Sequence, residues 1–119
     1  MKLEEFSQDN FEQASKRLIR SLTRGKTTSS HPKAILLGGQ SGAGKTTIHR
    51  IKQREFQGNI IIIDGDSYRS FHPNYLGLQE KYGKDSVDYT KVFAGKMVEY
   101  LVDELSKQGY HLLIEGTLR

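Results

Sequence analysis

The chain has 119 residues, 35% of them hydrophobic and 27% charged, which suits one folded domain of two or three packed layers and excludes a disordered chain. The absence of cysteine excludes a disulfide framework, thiolate zinc sites and thiol catalysis, and it fits a cytoplasmic location. The net charge of +4 is uneven: residues 1–33 hold seven bases against four acids, and Lys45, Arg50, Lys52 and Arg54 precede the next acid, Glu55. Without interleaved aromatic residues this bias reads as solvated helix faces near bound phosphate, so nucleic acid is not the expected partner.

Residues 7–23 place Phe11, Ala14, Leu18 and Leu22 three and four apart, the spacing of an amphipathic helix, with Ser7 as its cap. Acids at Glu4, Glu5 and Asp9 argue against a secretory signal in this first segment. Residues 24–33 contain Gly25, a Thr-Thr-Ser-Ser run and Pro32, which makes them a connector. Ala34 to Leu37 is a short apolar run with Pro32 on one side and Gly38 on the other, read as a buried strand, and a helix is expected from Lys45 to Phe56, ending near Gly58. Ile60 to Ile63 is a β-branched run, the pattern of a strand covered on both faces.

Residues 67–83 mix Tyr, His, Pro and Asn and read as an irregular excursion with a short helix around Leu76 to Tyr82. From Val87 to Lys107 the residues Phe93, Met97, Leu101 and Leu105 form one apolar stripe, widened by Val98 and Val102, and Gly109 closes that helix. His111 to Ile114 is a third strand. Strands alternating with helices predict an α/β fold with a parallel sheet and right-handed crossovers. No apolar run exceeds four residues, so a membrane is not expected as a partner.

Between the first strand and the second helix, Gly39, Gln40, Ser41, Gly42, Ala43, Gly44, Lys45 and Thr46 spell G-x-x-x-x-G-K-[ST], followed by Thr47. A strand before and a helix after are the context in which this string cradles phosphate. Glycines let successive backbone N–H groups turn inward, and the following helix points its positive end at the same charge. Lys45 neutralises the β- and γ-phosphates, while the Thr46 hydroxyl ligates magnesium, so ATP or GTP with Mg2+ is the expected cofactor pair. A dinucleotide site fails on spacing, because Thr47 stands where a third glycine or alanine is needed and Lys45 has no role there.

Asp64, Asp66 and Glu115 fall just beyond strand ends, where open α/β sheets bind substrates. One can activate an attacking hydroxyl and another can hold magnesium through water. Asp64-Gly65-Asp66 also suits a plain strand-ending turn, and residue type leaves the roles of the two aspartates open. His31, His49, His72 and His111 lack ligand-like spacing and read as surface or capping residues. Arg69 and Arg119 are candidate phosphate contacts.

Leu36 to Thr47, Ile63 to Arg69, His72 to Tyr75 and Ile114 to Thr117 together resemble the zeta toxins of bacterial epsilon-zeta toxin-antitoxin modules, over a stretch from about Phe11 to Arg119. The resemblance implies a P-loop kinase that phosphorylates the 3′-hydroxyl of the sugar in UDP-N-acetylglucosamine, which starves cell-wall synthesis. It implies an epsilon-type antitoxin that blocks the nucleotide site. It makes Asp66 the general base, Lys45 the phosphate-loop lysine, and Glu99 and Glu115 acids beside the sugar, with Thr117 also on the acceptor side. It further implies that residues 1–119 are the N-terminal part of a kinase domain with strand order 2-3-1-4-5, a fragment or truncated product holding the first three strands. The arginines that grip the transferring phosphate would then lie in a C-terminal half, and Ala34 to Leu37 would form a bare apolar edge. Two rival outcomes are a catalytically silent module that binds nucleotide or antitoxin, and a nucleoside or polynucleotide kinase sharing the loop and an Asp-x-Asp segment.

Overall fold

The computed structural model describes residues 2–38 and 42–115, with residues 42, 43 and 45 in backbone only. Three four-residue strands, β1 (Ala34–Leu37), β2 (Ile61–Asp64) and β3 (Leu112–Glu115), form one parallel sheet in the order β1-β3-β2. Parallel neighbours need crossovers, and helices supply them: α2 (Gly42–Glu55) between β1 and β2, then α3 (Tyr75–Tyr82) and α4 (Ser86–Gln108) between β2 and β3. α1 (Gln8–Thr23) precedes the sheet. The expected α/β architecture is therefore present, with β1 at its expected residues and other element ends displaced by up to three residues.

Period-two alternation divides the strand side chains between two helical layers. Ile61, Ile63 and Leu112 face α1 and α4 and pack with Ala14, Leu18, Phe93, Met97, Leu101 and Leu105. Ile60 and Leu113 face the other way and join Leu37, with Ile48 and Phe56 of the α2 region closing that side. In α4, Phe93, Ala94, Met97, Leu101 and Leu105 are all fully buried. Each large side chain of that stripe contributes about 1.5–3 kcal/mol of burial energy, which makes α4 the main apolar support of the sheet.

The ends of these helices follow local chemistry. Ser7 Oγ accepts the Asn10 N–H at 3.0 Å and Asn10 Oδ1 accepts the Ser7 N–H at 3.3 Å, a reciprocal cap at the start of α1. Gly109 ends α4 at φ 96°, and a Cβ there would stand 3.0 Å from the Ser29 carbonyl oxygen, so both backbone angle and close approach require glycine.

Three expectations change. Residues 67–71, read as irregular, belong to a 3-10 helix over Gly65–Phe71, and α2 begins at Gly42 rather than Lys45. His72, read as a surface or capping residue, caps but is buried at 3% exposure. Its Nδ1 accepts the Asn74 N–H at 3.0 Å, which leaves Nε2 to donate to the Glu4 carbonyl at 2.9 Å. Asn74 Nδ2 adds a hydrogen bond to the Leu3 carbonyl at 3.0 Å, so the His-Pro-Asn segment fastens the start of the chain to the turn before α3.

Candidate functional site

The sheet register brings the carboxyl ends of all three strands level. Leu37 of β1 and Asp64 of β2 both pair with Glu115 of β3, so the phosphate-loop strand, the aspartate strand and the glutamate strand end side by side. Crevices beyond such ends are where open parallel sheets hold ligands. α2 follows β1, with Gly44 half-buried in its first turn and Thr46 and Thr47 exposed at the start of the next. Four unpaired N–H groups at a helix start favour anions. Gly39, Gln40, Ser41, Thr117 and Arg119 lie outside the described residues, as do the side chains of Gly42, Ala43 and Lys45.

The Asp-Gly-Asp segment resolves into two different local roles. β2 stops at Asp64, and the Asp64 Oδ1 accepts the Asp66 N–H at 3.2 Å, capping the 3-10 helix that follows. Ser67 Oγ donates to the Asp64 carbonyl at 2.7 Å and Ser70 Oγ to the Ser67 carbonyl at 3.0 Å, which tighten the same turn. The strand does not run on to Asp66, so period-two geometry does not align the two aspartates. Asp66 instead sits on the first turn with its side chain exposed.

Glu115 is 6% exposed, and His49 of α2 approaches it, with Nε2 2.5 Å from Oε1. The contact is short but is not a hydrogen bond of standard geometry. It is an ion pair whenever the ring carries its second proton. Tyr68, two residues after Asp66, is 3% exposed, and its hydroxyl has no hydrogen-bond partner of standard geometry among the described residues. Burial pushes its phenol up to about 12; the Asp64 backbone opposes this, and the carboxylates of Asp64 and Glu115 add lesser upward pushes. Arg69 follows, half-buried, with Nε shielded from solvent and without a hydrogen bond among the described residues.

Glu99 stands apart from this group. It is exposed on the middle of α4 and lines a surface groove with Gln8, Phe11, Lys96, Tyr100 and Asp103. None of the strand-end residues lines that groove. Thirteen residues separate Glu99 from the first residue of α4, roughly 20 Å at the helical rise.

Sequence reasoning missed His49 and Tyr68 as members of the site. A usable signal existed for His49, which follows Lys45 by four residues and so shares its helix face one turn further from the loop. For Tyr68 no spacing rule applies, since its place depends on a 3-10 turn folding back against α4.

The family sequence model described as zeta toxin matches residues 18–119. Toxin PezT of Streptococcus pneumoniae serotype 4 is 69% identical over 119 residues, covering 100% of this chain and 47% of that protein. Toxin zeta of Streptococcus pyogenes is 40% identical over 114 residues, covering 96% of this chain and 40% of that protein. A solved structure from the PezAT chromosomal toxin-antitoxin system of Streptococcus pneumoniae superposes with a TM-score of 0.95 at 69% identity, covering 99% of this chain and 49% of that one. The chain thus spans about half the length of the curated relatives it matches.

Proposed function

This chain belongs to the zeta toxin family, and from that premise we propose that it carries the nucleotide-binding part of a kinase domain that moves the γ-phosphoryl group of ATP or GTP to the 3′-hydroxyl of UDP-N-acetylglucosamine. The observation that supports this reading is the register of Leu37, Glu115 and Asp64, which ends the strand preceding the G-x-x-x-x-G-K-[ST] string level with two acid-bearing strand ends.

In this reading residues 39–46 wrap the β-phosphate with backbone N–H groups, and Lys45 offsets the charge of the β- and γ-phosphates. Mg2+ fits the donor set, because Thr46, an exposed residue at the start of the second turn of α2, carries a hydroxyl oxygen, a hard ligand. Bound there it would neutralise charge on the β- and γ-oxygens. Asp66, exposed on the turn after β2, takes the proton of the sugar hydroxyl as the new oxygen–phosphorus bond forms and the bond to the departing diphosphate breaks. Asp64 holds that turn through its bond to the Asp66 N–H. Glu115 contributes a fixed carboxylate on the acceptor side, together with Thr117, while Glu99, exposed on α4 away from the strand ends, would meet only a part of the extended acceptor remote from the transferred group.

Loss of the acceptor sugar nucleotide would stop cell-wall precursor supply, a toxic outcome that calls for a restraining partner. The solved relative comes from a toxin-antitoxin system, which supports an epsilon-type antitoxin protein in that role. Both nucleotides of the reaction are cytoplasmic, and the protein acts there. Among the described residues no helix is long and apolar enough to cross a membrane.

Calorimetric titration with ATP and Mg2+ tests the nucleotide site. Lys45→Ala should weaken binding by at least tenfold, because the loop loses its side-chain cation facing the β- and γ-phosphates. Unchanged affinity would remove the phosphate-loop assignment and the kinase reading with it.

A further inference from the structure

The contact between His49 and Glu115 joins two parts of the site that the sheet alone keeps separate. Glu115 ends the central strand, flanked by the strand that feeds the phosphate loop and the strand that feeds the Asp66 turn. Its carboxylate is 6% exposed, and a carboxylate at that depth requires donors or a cation to offset lost hydration. His49 approaches it from α2 at 2.5 Å, with the Nε2 atom itself shielded from solvent while the ring as a whole stays 28% exposed. The same helix grows directly out of the loop, and His49 lies one turn beyond its lysine. A displacement of the first two turns of α2 on phosphate binding would therefore be passed to Glu115 through this side-chain contact.

We propose that His49 is a positioning residue that couples the phosphate-loop helix to Glu115, so that nucleotide and acceptor each strengthen the binding of the other. This rests on the reading of Glu115 as an acceptor-side acid. His49 touches neither the transferred phosphate nor the sugar in this account. It sets where the Glu115 carboxylate sits once the loop is filled. A strap that merely ties α2 to β3 would affect melting temperature alone, whereas a coupling residue changes how one ligand alters the affinity of the other, and by the same factor in both directions.

The experiment titrates UDP-N-acetylglucosamine calorimetrically into the full-length protein, with and without saturating Mg2+ and the non-transferring β,γ-methylene analogue of ATP. In the wild-type protein the analogue should tighten acceptor binding about fivefold or more. His49→Leu should abolish that factor while leaving the affinity for the analogue alone within about twofold. His49→Gln, whose amide reaches nearly as far as Nε2 and can donate, should restore most of it. His49→Asn, with a shorter reach, should behave like the leucine variant and provides a second removal should leucine unfold the protein; thermal melts check folding of each.

An undiminished factor in folded His49→Leu or His49→Asn overturns the proposal, as does its absence in the wild type. Glu115→Gln separates the two levels of the argument. If it leaves acceptor affinity unchanged, the acceptor-side reading of Glu115 falls and the coupling falls with it. If it weakens acceptor binding while the His49 variants keep the factor, only the coupling falls.

Discussion

Tyr68 places a phenol hydroxyl at 3% exposure beside the carboxylates of Asp64 and Glu115, and its folded-state value of about 12 exceeds the ordinary 10.0. A group whose value is raised on folding stabilises the fold fully below its unfolded value, and the contribution is lost as pH climbs through the folded one. The window is therefore pH 10 to 12, and within it stability should fall by about 1.4 kcal/mol per pH unit from this residue. Tyr68→Phe should flatten that part of the alkaline decline in urea denaturation series, with equal or slightly higher stability at pH 7 because the hydroxyl lacks a partner of standard geometry among the described residues. An identical alkaline slope in both proteins would show that the phenol is not held neutral by the fold. At this scale the sequence was legible where chemistry is local. The loop string and the Asp-Gly-Asp turn announced themselves, and Ser7 as a cap is realised with Asn10 as its reciprocal partner. The pair of His49 and Glu115 joins residues far apart in the chain, and no spacing rule reports such a contact.

Among the elements, α4 bears most of the packing load. Leu101 is fully buried at the centre of its stripe, within the cluster that includes Ile61, Ile63 and Leu112. Leu101→Ala should lower unfolding free energy by about 2–5 kcal/mol through lost burial and the cavity left behind. Chemical denaturation measures this, and a loss below about 1 kcal/mol would show that α4 is not the support assigned to it. The three-and-four spacing of α1 and α4 and the apolar runs of the strands were readable because one periodic face suffices to declare each element. The 3-10 helix over Gly65–Phe71 was not, since it is built from side-chain bonds at Asp64, Ser67 and Ser70 and from Tyr68 packing inward, none of which leaves a period. The early start of α2 at Gly42 escaped for a related reason: glycine has weak helix propensity, and two glycines, Gly42 and Gly44, fall in its first turn.

For the molecule as a whole, the parallel order β1-β3-β2 explains both what is covered and what is not. β3 is flanked on each side, and Leu112 and Leu113 are fully buried on opposite faces. β1 pairs with β3 along one edge, and Leu36 remains 73% exposed on the face that α1 and α4 cover elsewhere. The sequence reading of Ala34 to Leu37 as an apolar edge rested on a strand order supplied by family resemblance, which the apolar run itself does not contain. What the sheet achieves is alignment: the end of β1, the Asp64 turn and Glu115 lie level at one rim, and the proposed transfer depends on that alignment. The most direct test is ATP-dependent phosphorylation of UDP-N-acetylglucosamine by the full-length protein, read by mass spectrometry beside an ATP titration. The account predicts a singly phosphorylated sugar nucleotide from the wild-type protein, a loss of at least a hundredfold in rate for Asp66→Asn with ATP affinity nearly unchanged, and a smaller loss for Asp64→Asn. Wild-type turnover by Asp66→Asn, or no product from the wild-type protein, would contradict it.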